Sequence, residues 1–178
     1  GNAQVNIILH EDLSAPNEMI VDINVDKHDK VKVHKIYIEG NEVMSDNQIQ
    51  RAMKKTNEKN KLINLFRQKK FVESDYQDDL NRILDKYNEK GYRDAKIVSD
   101  SVVPYDDRLV DVHITLDEGK KYYIKDINWV GNTVRSSEEL AYFLGMQPGD
   151  VYNQKMLDKR LNTDEDAVAN LYMNNGYL

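Results

Sequence analysis

The stretches VHKIYIEGNEVMS at residues 33–45 and IKDINWVGNTVRS at 124–136 are two versions of one phrase, set 91 positions apart. A repeat constrains a fold more than any single motif, because each copy must be one supersecondary unit built to the same plan. At that offset Ile36, Ile38, Gly40 and Asn41 fall on Ile127, Trp129, Gly131 and Asn132, while Ser45 and Gln48 fall on Ser136 and Glu139. Upstream, Met19, Val21, Ile23 and Val25 meet Val110, Val112, Ile114 and Leu116 in the same register. Farther along the offset becomes 85, where Ile83, Tyr87, Gly91 and Tyr92 fall on Val168, Tyr172, Gly176 and Tyr177. The first copy therefore holds six more residues between its two matched blocks, and such length changes belong in loops.

Each block carries a periodicity. LVDVHITLD at 109–117 alternates strictly, with Val110, Val112, Ile114 and Leu116 on one face, and predicts a half-buried strand. IYIEG and INWVG predict short strands ended by Gly-Asn, a pair that accepts positive φ. Ser45 with Gln48 and Ser136 with Glu139 have the capping-box spacing and predict helix starts. Tyr76, Leu80, Ile83, Leu84 and Tyr87 place a second helix over about Ser74 to Lys90, closed by Gly91. DAKIVSDSVV then predicts a strand, and PYDDR at 104–108 a turn into the alternating one. One unit thus runs strand, helix, helix, strand, strand, which implies an α+β fold of two layers.

Those features in that order resemble tandem POTRA domains, the periplasmic modules of outer-membrane barrel-assembly proteins of the BamA type. The resemblance implies units of β-α-α-β-β order, each a three-stranded mixed sheet covered by two helices. It divides the chain into 1–28 (the last two strands of one unit), 29–118 (a complete unit) and 119–178 (the first strand and helices of a third). It further implies a binding scaffold at the periplasmic face of the outer membrane, with no cofactor, no metal and no enzymatic chemistry. The implied partners are nascent outer-membrane proteins and accessory assembly proteins, in a parent that carries a C-terminal membrane barrel. Recognition would use β-augmentation, in which an extended peptide adds to an open sheet edge. The second strand is that edge in the resembling sheet: Ala95, Lys96, Ile97, Val98, Ser99, Asp100, Ser101 and Val102. Lys96 and Asp100 would alternatively shield it from pairing. Parts of three units favour an assembly factor over a two-partner secretion transporter, which carries two. The half units at either end also permit complementation between chains.

The net charge of −6, at pI 5.3, argues against a general nucleic-acid binder. The absence of cysteine removes disulfides and thiolate chemistry. No stretch approaches the roughly 18 apolar residues of a membrane-spanning helix, and the opening GNAQ does not read as a signal peptide. Against this acidic background, residues 51–70 hold eight basic residues and one acid. Lys54, Lys55, Lys69 and Lys70 there could meet anionic lipid headgroups or an acidic partner, or the segment could be a solvated connection anchored by Leu62, Ile63, Leu65 and Phe66. Glu73, Asp75, Asp78 and Asp79 open the second helix and suit its macrodipole, and Asp164, Glu165 and Asp166 group within its counterpart. Neither group reads as catalytic. His10, His28, His34 and His113 lack metal-ligand spacing, and Trp129, standing where the first copy has Ile38, is expected in the core. The short join at 117–126 lacks proline and predicts limited hinging.

Overall fold

The computed structural model describes residues 3–11, 19–27, 31–58 and 70–173. Two strands open the chain, β1 (Ala3–Glu11) and β2 (Met19–Lys27), antiparallel from Ala3 opposite Lys27 to Glu11 opposite Met19. His28, Leu62, Ile63, Leu65, Phe66, Lys69, Gly176 and Tyr177 lie outside the described residues.

The central unit contains β3 (Lys32–Glu39), α1 (Asp46–Ala52), α2 (Glu73–Glu89), β4 (Lys96–Asp106) and β5 (Leu109–Asp117). Its sheet runs β3-β5-β4, with β3 parallel and β4 antiparallel to the central β5. The alternation in β5 does what the spacing predicts: Val112, Ile114 and Leu116 are buried while His113 faces out. Helix α2 lays Tyr76, Leu80, Ile83 and Tyr87 against them, at spacings of four, three and four that keep one helical face inward. Burial of each such large side chain contributes about 1.5–3 kcal/mol.

The Tyr-x-x-x-Gly-Tyr phrase is a helix stop of the Schellman kind. Past the last turn of α2, Tyr92 N–H donates to Tyr87 O and Gly91 N–H to Asn88 O, each at 3.0 Å. Gly91 takes φ +93°, and the rings of Tyr87 and Tyr92 meet edge to face at 6.2 Å, the apolar contact that accompanies this stop. Glu118, buried just beyond β5, accepts from Tyr87 Oη at 2.6 Å and from Val43 N–H at 2.9 Å. It ties the helix, the loop after β3 and the end of the sheet together.

Two expectations are corrected here and downstream. Strand β4 runs on through Pro104 and Tyr105, so the turn is only Asp107-Arg108, not the whole of PYDDR. Proline is tolerated because β4 lies at the sheet edge, beside a register shift between Pro104 and Asp106. In the C-terminal segment the second helix is not continuous. It divides into α4 (Gln154–Asp158), a π-helical turn (Lys159–Thr163) and α5 (Val168–Met173). Asp164, Glu165 and Asp166 sit in the break, where Asn170 Nδ2 donates to the carbonyls of Asp164 and Glu165. Short polar side chains that bond the backbone locally compete with helix.

Helix α3 (Ser137–Leu144) begins at the predicted cap, Ser136 Oγ accepting from Glu139 N–H at 3.2 Å, and ends at Gly145 in the left-handed region. Leu140, Leu144, Met146 and Val168 form its core, with Ile127 and Trp129 packed against them. INWVG, predicted as a strand, has no ladder partner and forms no regular element among the described residues. The join to the central unit is tightly bonded. Tyr122 N–H donates to Gly91 O at 2.9 Å, Tyr122 Oη to Asp94 at 2.6 Å, and Tyr152 N–H to Tyr122 O at 3.0 Å. A Cβ on Gly91 would lie 2.6 Å from the Val151 side chain.

Candidate functional site at an open sheet edge

The central sheet has two edges, and they are finished differently. Along β3 the outer backbone is already occupied: Ile36 N–H donates to the buried Glu58 carboxylate at 3.0 Å, and Val33 makes an isolated bridge to Glu58. Gln50 Nε2 donates to the same carboxylate at 3.1 Å and reaches Ile36 O at 3.5 Å. Along β4 no described residue pairs with the outer edge.

The candidate residues fall on that free strand, except that Ala95 precedes it. Ala95, Ile97 and Val102 turn inward onto the core. Lys96 pairs with Asp117 at 3.3 Å. Val98 stands at a register shift, 58% exposed, and Ser99, Asp100 and Ser101 are exposed. Between the shifts at Val98 and Tyr105 the ladder is regular, from Ser99 opposite Thr115 to Pro104 opposite Val110. The pairing-competent stretch is thus Ser99–Val103, since Pro104 has no N–H to offer. Tyr76, fully buried on α2, has a hydroxyl without a hydrogen-bond partner among the described residues. Burial, then the negative charge of Asp100, pushes its phenol well above the ordinary value.

On the sheet face away from the helices lies a feature the sequence spacing did not reveal. The rings of His34 and Tyr105 stack at 3.8 Å and those of Tyr37 and His113 at 4.7 Å. His34 Nδ1 lies 2.9 Å from Asp111 Oδ1, which also accepts from Lys35 N–H at 3.2 Å. The outward alternation of Tyr37 and His113 was a readable signal. The pairing of His34 with Tyr105 was not, because both sit at register shifts. Among the described residues no group of three or more His, Asp or Glu is placed to hold a metal ion.

The basic segment is divided in use. Lys55 Nζ pairs with Asp75 at 2.8 Å and Asp78 at 3.1 Å, bonds that raise its pKa above the ordinary lysine value, the Asp75 bond most. The fully buried Asp79 accepts from Lys55 N–H at 2.9 Å, Thr56 N–H at 2.6 Å and Arg82 at 2.6 Å. The acidic start of α2 is therefore the clamp that holds the loop after α1. Lys54 and Lys70 are exposed.

A family model described as POTRA, surface antigen variable number repeat, matches residues 31–119 and again 122–178. The chain belongs to the POTRA family. These POTRA units are similar to those of the outer membrane protein assembly factor BamA of Neisseria meningitidis serogroup B, at 28% identity over 173 residues, 95% of this chain and 22% of that protein. BamA of Neorickettsia risticii is 28% identical over 95 residues, 48% of this chain and 13% of the relative. Among solved structures, the Haemophilus influenzae BamA POTRA3-5 fragment aligns with a TM-score of 0.50 at 19% identity, over 88% of this chain and 58% of that one. The chain spans about a fifth of the length of the Neisseria relative. The three-stranded mixed sheet with its helices is the POTRA fold, and no described helix is long and apolar enough to cross a membrane.

Proposed function

We propose that this chain is a periplasmic binding segment of an outer-membrane barrel-assembly factor, whose parent carries a membrane barrel beyond it. It receives unfolded barrel precursors or accessory proteins by adding their extended segments to β4, and it performs no chemistry of its own. The observation that carries this reading is the asymmetry of the sheet: β3 is closed by Glu58 and Gln50, while β4 offers Ser99–Val103. Main-chain bonds along such an edge supply affinity with little demand on sequence, which suits a receptor for many clients.

The test is an amide-shift titration of the 178-residue chain with an extended peptide from a β-barrel strand. Shifts and new exchange protection confined to β4 are expected. Ser101→Pro and Val102→Pro discriminate further, because N–H groups alternate sides along a strand. The variant whose missing N–H faced outward should keep its fold and lose the peptide, whereas the other should disturb the β4–β5 ladder. Unchanged spectra at saturating peptide would remove β4 as a receiving edge.

A further inference from the structure

A cleft on the helix side, remote from the outward sheet face, collects positive charge in a chain whose net charge is −6. It measures about 350 Å³ and is walled by the end of α1, the outer face of α2 and the start of α4. Its cations are Arg51, Lys54, Arg82, Lys86 and Lys155, against Asp85 and Glu89. Arg82 is held by Asp79, and Glu89 is shared by Lys86 at 2.5 Å and Lys155 at 3.8 Å. Counting Asp79 as well, five cations face three carboxylates, and a surplus of two remains. Arg51 and Lys54 are exposed and have no carboxylate partner among the described residues. A second hollow of about 490 Å³ continues past Asp85 and Lys155 toward Arg93 and Lys159.

We infer that this cleft is a docking site for an acidic protein segment, and that the segment touches both POTRA units at once. Arg51, Lys54 and Lys86 belong to the central unit and Lys155 to the C-terminal segment, while the Gly91–Tyr122 bond fixes their spacing. Unpaired cations facing a run of carboxylates give electrostatic complementarity, which sets specificity and encounter rate. The shape selects a chain segment over a membrane: the cations line a trough between helices that a flat bilayer cannot enter. The inference does not depend on β4.

The probe is dye-labelled deca-glutamate, followed by fluorescence anisotropy with the 178-residue chain at low salt. Saturable binding is expected, weakened roughly tenfold or more by the double variant R51E/K54E and by raising NaCl to about 0.5 M. Lys35→Glu, on the opposite sheet face, and the fold-retaining β4 proline variant should leave it unchanged, so the two proposals fail separately. Both reversed residues are exposed, and circular dichroism confirms that the fold is kept. Absence of saturation, or affinity indifferent to Arg51, Lys54 and Lys155, overturns the inference. So does binding to phosphatidylglycerol vesicles, lost in the same variants, without binding to the peptide, since the site would then be a membrane contact.

Discussion

The two copies of the Gly-Asn phrase are alike where they bond to themselves and unlike where they need a neighbour. After β3, Asn41 Nδ2 donates to Met44 O at 2.9 Å and to Asp46 at 2.8 Å; 91 residues on, Asn132 Nδ2 donates to Arg135 O at 3.2 Å and to Ser137 at 3.1 Å. Ser45 and Ser136 each accept from the N–H three residues on, but only at Ser45 does the side chain of the third residue, Gln48, bond back to the cap N–H; Glu139 pairs with Arg135 instead. The residues before the phrase part company. IYIE is laddered because β5 lies beside it, and INWV is not, having no strand beside it among the described residues. Loop and cap are local decisions of the chain, whereas a strand exists only as half of a pair.

The sharpest way to break the likeness is at the glycines. Gly40 and Gly131 share a backbone conformation, φ +82° and +80°, but a Cβ on Gly40 would lie 2.1 Å from Leu116 O, while one on Gly131 meets nothing within 4 Å. Gly131→Ala should cost about 1 kcal/mol, the penalty of a side chain at positive φ. Gly40→Ala should cost roughly 3 kcal/mol or more, because backbone atoms must also move apart. Urea unfolding separates the two. The single Trp129 reports the C-terminal segment, and far-UV circular dichroism is dominated by the larger central unit. Equal costs would mean that the contact with β5 contributes nothing.

The asparagines should instead behave alike. Asn41→Ala and Asn132→Ala each remove a side chain that closes the same loop, at about 1 kcal/mol apiece. If Asn41→Ala cost less than Asn132→Ala by roughly 1 kcal/mol, the loop after β3 would owe its shape to Glu118, which holds Val43 N–H, and not to Asn41.

What was legible in the sequence follows the same division. Alternation in β5, the 3/4 spacing of α2, both serine caps and the glycine stop at Gly91 are short-range patterns, and each survives in the fold. Strand β4 overran its predicted end because proline at an edge does not stop a strand, and edge position is a property of the sheet, not of PYDDR. The carboxylates at the start of α2 suited a helix dipole in sequence; that Asp79 would be buried as an acceptor for Lys55 and Thr56 required knowing how the loop folds back. The clefted cations of Arg51, Lys54 and Lys155 are likewise invisible until two units are set side by side.

The join between units offers the smallest effect and a direct test of what holds the C-terminal segment to its neighbour. Glu89 lies below its ordinary carboxylate pKa, chiefly through its bond to Lys86 on its own helix and secondarily through the charge of Lys155 on α4. A carboxylate depressed in the fold contributes stability that is complete above its unfolded value, near 4.5, and is lost as pH falls through the lower folded one. Acidification below about pH 4 should therefore loosen the α2–α4 contact, seen as faster hydrogen exchange at Tyr152, whose N–H is held by Tyr122 O, the residue that in turn bonds to Gly91 of the central unit. The change should be slight, because Glu89 is a third exposed and solvent screens the pair. Lys86→Ala should remove most of the acid shift of Glu89, and Lys155→Ala only a part, yet only Lys155→Ala should alter exchange at Tyr152 at neutral pH. If Lys86→Ala did so as well, the intrahelical pair would be positioning Glu89 for the join, and the two units would be coupled through α2 itself.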